Sequence, residues 1–111
     1  MIIDCHGHYT TAPSALGEYR KIQKAQLGAP QRPAFSVDRD ISDDQIRESL
    51  EKNQLATQRK RGVDMTLFSP TAGAMEHHVG DVQTSLDWSR ACNDLIHRVC
   101  TLYPLDFAGV G

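Results

Sequence analysis

At 111 residues, 40% hydrophobic and 23% charged, the chain has the make-up of an ordinary globular protein, which excludes disorder as the default and leaves room for one small domain. Twelve Lys and Arg against fourteen Asp and Glu leave a formal charge of -2, so no basic field draws in nucleic acid or an anionic membrane. No apolar run approaches the length of a signal or spanning segment, and three cysteines without an export signal argue against a disulfide framework; the expected setting is cytoplasmic, with reduced thiols.

Met1 to Cys5, apolar and β-branched and followed by Gly7, predicts a first strand. Pro13 suits the first turn of a helix that Ala15, Leu16, Tyr19 and Ile22 continue, with Gly17 weakening it by about 1 kcal/mol. Leu27 to Asp40, with Gly28, Pro30 and Pro33, reads as a long irregular connection. Ser42 and Gln45 form a capping box at the head of a helix that runs to Arg61, ends at Gly62, and carries a thin apolar stripe of Ile46 and Leu50.

Val63 to Ser69 predicts a second strand, stopped by Pro70, and Thr71 to Asp81 a loop. From Gln83 to Tyr103 the residues Trp88, Ala91, Cys92, Leu95, Ile96, Val99, Leu102 and Tyr103 recur at helical spacing, with Asp87, Arg90, Asn93, Asp94, His97 and Thr101 on the other side. Pro104 ends that helix, and Phe107 to Gly111 reads as a third strand. Strands alternating with helices make an α/β fold around a parallel sheet. Three such βα units are the N-terminal portion of a (β/α)8 TIM-type barrel, which needs about 250 residues to close, so residues 1–111 are expected to be an incomplete part of one barrel domain.

Residues two apart on a strand share a face, so His6 and His8 are expected to project together, with Ile2 and Asp4 below them; the structural alternative for Gly7 is a turn residue. Neutral imidazole is a favoured ligand for Zn2+ and similar divalent metals, and a catalytic zinc has three protein ligands and an open position; this pair supplies two. Barrel active sites lie at the C-terminal ends of the strands, where His6 and His8 fall.

At these residues the chain resembles the amidohydrolase superfamily, in the branch of the acid decarboxylases and the 4-oxalomesaconate hydratases. The stretch Met1 to Pro13 looks like the opening of a hydratase of that branch, and Ser69 to Gly80 and Leu102-Tyr103-Pro104 fit it too. The resemblance implies a metal-dependent hydrolase-like barrel in which His6 and His8 bind zinc with ligands from later strands. It also implies hydration of an unsaturated oxo-tricarboxylate during breakdown of protocatechuate, hence a small anionic carboxylic acid as substrate.

His77 and His78 lie in the loop after the second strand, on the same rim as His6 and His8, and read either as substrate-contacting or proton-relaying groups or as surface histidines. Ser69 and Thr71 flank Pro70 and read either as carboxylate donors or as loop caps. Arg59-Lys60-Arg61 reads as a solvated helix end, His97 as exposed, Cys5 as a small packed residue, and Trp88 and Tyr103 as core. Two further readings stay open: a related metal-dependent decarboxylase or hydrolase, and a non-catalytic fragment that forms a homo-oligomer through its open first and third strands.

Overall fold

Strand propensity and helical periodicity meet in a three-stranded parallel sheet, β1 (Ile3–His8), β2 (Met65–Ser69) and β3 (Phe107–Gly109), in that spatial order. A computed structural model describes residues 1–71, 76 and 78–111. β1 runs farther than Cys5 and takes both histidines into the strand, because Ser69 and Pro70 continue beside it and the Tyr9 N–H still donates to the Ser69 carbonyl, at 2.9 Å. At the other end the Asp64 carboxylate accepts the Ile2 N–H at 2.6 Å, fixing where β1 and β2 enter the sheet together.

Helix α1 (Ser14–Ala25) begins just after Pro13, which needs no N–H there. Ala15, Leu16 and Tyr19 face the core as expected, but Ile22 is exposed and Arg20 and Gln23 are buried beside Tyr19. The connection from Leu27 is irregular as far as Ser36 and then makes one helical turn, α2 (Val37–Asp40), whose ends are set by two buried apolar residues, Val37 and Ile41.

The Ser42–Gln45 capping box forms in full and starts α3 (Asp43–Lys52). The single helix expected to Arg61 is broken at Asn53, which has φ -125 and ψ -96, and resumes as α4 (Gln54–Lys60), with Gly62 beyond it at φ 68. The break brings Gln54 under the loop after β1, where its amide accepts from Thr11 Oγ1 at 2.7 Å and donates to Thr10 Oγ1 at 3.0 Å. Helix α5 (Val82–Leu102) starts from Asp81, whose carboxylate accepts the Thr84 N–H at 2.8 Å.

One face of the sheet is covered by α3, α4 and α5. Phe68 and Phe107 from the strands, Ile46, Leu50 and Leu55 from α3 and α4, and Leu95, Ile96 and Val99 from α5 form one core, joined by Tyr9. A second cluster, Tyr19, Trp88, Ala91 and Cys92, holds α1 on α5. On the opposite face Met65, Leu67 and Ser69 are only partly buried, and Ile3 is 51% exposed. Among the described residues β1 and β3 each end the sheet with an unpaired edge. Among the described residues no helix is long and apolar enough to cross a membrane.

Candidate functional site

The register of β1 on β2 sets the site. Ile3 pairs with Met65 and Asp4 with Thr66, but Gly7 pairs with Phe68 and His8 with Ser69, so two residues of β1, Cys5 and His6, stand opposite Leu67 alone. The slip reverses the alternation upstream. His8 lies on the open face with Ser69, whereas Asp4 lies with Thr66 on the helix-covered face, contrary to the expectation that it sits below the pair. Cys5, in the slipped part of an edge strand, is exposed rather than packed.

Gly7 is not a turn residue either. It sits inside the strand, and a Cβ there would stand 2.4 Å from the Thr66 Cγ2 methyl. Close backbone approach is what requires the missing side chain.

The two imidazoles converge, with ring centroids 4.7 Å apart at 86° and the two Nε2 atoms 3.1 Å apart. His8 Nδ1 is 2.9 Å from the Pro70 carbonyl oxygen and 2.8 Å from Ser69 Oγ, and Ser69 in turn donates to the Gly7 carbonyl at 3.1 Å. A carbonyl only accepts, so Nδ1 carries the proton of neutral His8 and Nε2 faces His6 with a bare lone pair. The Pro70 carbonyl and Ser69 together fix the ring that β1 presents, and a backbone carbonyl is a usual outer partner where a histidine does hold a metal.

The donor set suits a divalent metal. Two nitrogens each about 2.0–2.1 Å from one zinc ion would be roughly 2.9 Å apart at a right angle and roughly 3.4 Å apart at a tetrahedral angle. The separation of 3.1 Å lies between. Among the described residues no group of three or more His, Cys, Asp or Glu side chains comes together.

Of the other candidates, Thr71 donates from Oγ1 to the Tyr9 carbonyl at 2.9 Å, tying the two strand ends together. His78 is exposed, and its charge helps hold the Glu76 carboxyl below the usual carboxylate range, after the larger effect of a hydrogen bond from Lys24. His77 lies outside the described residues. Tyr9, which sequence reasoning passed over, is buried directly behind His8, tilted against Phe68 and hydrogen-bonded to Ser49, and burial raises its hydroxyl pKa. Arg20, also missed, is buried between α1 and α5. Arg59 and Lys60 close α4 exposed, His97 is exposed, Trp88 is buried, and Tyr103 is half-buried with its hydroxyl donating to Glu51 at 2.9 Å. All three cysteines are free thiols.

The arrangement has solved and curated counterparts. Over its whole length the chain is similar to hydratases. It is 54% identical over 111 residues to the 2-keto-4-carboxy-3-hexenedioate hydratase of Sphingobium sp. (strain NBRC 103272 / SYK-6), covering 99% of this chain and 32% of that protein. It superposes on the crystal structure of 4-oxalomesaconate hydratase from Rhodopseudomonas palustris with a TM-score of 0.86 and 42% identity, covering 100% of this chain and 32% of that one. The chain thus spans about a third of the length of these relatives. No protein-family model matches it.

Proposed function

We propose that this sequence is the first part of a zinc-dependent hydratase of the amidohydrolase superfamily that adds water to 4-oxalomesaconate or a closely similar unsaturated oxo-tricarboxylate in the cytoplasm, during aromatic acid degradation. The observation that carries the reading is the similarity, unbroken along the chain, to two hydratases. The convergence of His6 and His8 at the C-terminal end of β1 supports it. The open edges of β1 and β3 and the half-exposed face of β2 support a (β/α)8 barrel continued by further units.

In this reading His6 and His8 hold the metal through Nε2. A bound zinc polarises a substrate oxygen or lowers the pKa of a water. The chain's own part is orientation. The Pro70 carbonyl and Ser69 keep the proton of His8 on Nδ1, which would leave Nε2 free to hold a metal. A substrate of several carboxylates meets the open face, where the electron-poor alkene carbon takes the hydroxyl of a water that gives one proton to a base, and the neighbouring carbon takes one proton from an acid, so that H and OH add across the double bond.

A polypeptide of the relatives' length carrying this sequence tests the proposal by zinc analysis and by following loss of the 4-oxalomesaconate alkene. Hydration by a zinc-containing protein is expected. A zinc-loaded protein that leaves the hydratase substrate untouched and decarboxylates an aromatic or acyclic acid instead would place it with the related decarboxylases. The two unpaired edges also favour a second reading for the 111 residues alone, a metal-free module that self-associates; a monomer in size-exclusion chromatography with one bound zinc would end it.

A further inference from the structure

Arg20 is 6% exposed, inside the junction of α1 and α5, where a stem of Leu or Met would fill the same space without desolvating a charge. Its partners explain it. The guanidinium stands 5.0 Å over the Trp88 ring, Nη1 donates to Gln23 Oε1 at 3.1 Å, Nη2 donates to the Glu76 carbonyl at 3.3 Å, and Nε is 3.9 Å from the Glu76 carboxylate. Lys24, one turn along, ion-pairs with the same carboxylate.

Glu76 belongs to the connection between β2 and α5. Ser69 and Pro70, the two residues that orient His8, stand at the end of β2, and Glu76 meets α1. Glu76 has φ 37, a left-handed backbone that a residue with a Cβ adopts at some cost and keeps only when its surroundings impose it. Its carbonyl also accepts the Val79 N–H at 2.9 Å. Beyond it, Gln23, buried next to Arg20, donates to the Thr84 carbonyl at 3.2 Å. The polar residues on the buried side of α1 thus hold both ends of the descent into α5.

We propose that Arg20 is a positioning residue: seated on Trp88, it fixes Glu76 and, through the Glu76 carbonyl to which Val79 also donates, the backbone about His78 ahead of α5. The functional half of this inference rests on the hydratase reading; the tether itself does not. Arg20 touches neither His6 nor His8, so its loss acts on substrate handling and leaves the metal in place.

The test uses a polypeptide of the relatives' length with Arg20→Met, Arg20→Lys or Glu76→Gln. Hydratase kinetics, zinc content and hydrogen exchange at the Val79 amide are measured, with the Phe68 amide as the sheet reference. The expected result for Arg20→Met is at least a tenfold loss of kcat/KM and at least tenfold faster exchange at Val79, with zinc content and Phe68 exchange unchanged. Arg20→Lys, which keeps the charge and loses the fork, recovers part of both. If Arg20→Met does not fold, the partial losses in Arg20→Lys carry the comparison, and Glu76→Gln, which keeps the Arg20 bond to the Glu76 carbonyl and weakens only the side-chain pairings with Lys24 and Arg20 Nε, is expected to change both readouts less than either Arg20 variant. Unchanged exchange at Val79 in the folded Arg20 variants overturns the tether. Faster exchange with unchanged kcat/KM overturns the positioning role. A wild-type protein with no hydratase activity sinks the hydratase reading instead, and the exchange comparison still decides the tether.

Discussion

The two faces of this sheet are made of the same strands and differ in what orders them. On the covered face Thr66, Phe68 and Phe107 meet helices, and the side chains are placed by exclusion of water. On the open face His6, His8 and Ser69 are placed by hydrogen bonds, two of them to backbone carbonyls, and little apolar surface is buried around them. Stability and chemistry are thus assigned to opposite sides of one strand, and Gly7, lying between two histidines, joins them.

The largest expected effect tests the covered face. Phe68→Ala removes a 1% exposed ring and should cost about 3–5 kcal/mol in denaturant unfolding, while Leu67→Ala next to it costs far less in the 111-residue chain. Equal losses would erase the distinction between the faces. Gly7→Ala acts from the covered face on the open one: the added methyl meets Thr66 Cγ2, costing about 1–3 kcal/mol and spreading the histidines. Thr66→Ser removes that methyl and keeps a hydroxyl for Gln58, so the double variant should recover most of the loss in a double-mutant cycle; purely additive effects would refute the contact.

Ser69→Ala belongs to the open face alone. Zinc affinity, measured by competition with a chelator, should fall roughly tenfold with no comparable change in unfolding. The smallest effect lies away from both faces. The Thr84 N–H and hydroxyl hold the Asp81 carboxyl below its ordinary value near 3.8. Its stabilising contribution is therefore fully present above that value and disappears as pH falls through the depressed folded one. Asp81→Ala should lower the melting temperature by a few degrees at pH 7, and the difference from wild type should vanish in strong acid.

Where one periodicity governs, the fold was legible in the sequence. The stripe from Trp88 to Val99 is buried as its spacing requires, and the Ser42–Gln45 box forms as written. What escaped has local causes. Asn53 is flanked by good helix formers, and only the pull of Thr10 and Thr11 on Gln54 shows why the helix breaks. α2 is one turn inside a proline-rich stretch, made by burial of Val37 and Ile41 rather than by propensity. Arg20 and Gln23 look like solvent residues until Trp88, Thr84 and Glu76 are brought to them. At the site, the spacing of His6 and His8 foretold their convergence. The slip at Cys5 and His6 was invisible, because an extra residue on one strand is defined only by the register of its partner.

His6 and His8 are neighbours in the chain, yet the groups that orient His8 lie 61 and 62 positions further on. Closing a loop that long comes late in folding, after α1 to α5 can form from nearer contacts. A newly made chain therefore passes through a period in which both imidazoles exist but neither tautomer is imposed. Before β2 docks the pair is flexible; once it has docked, His8 is already aimed.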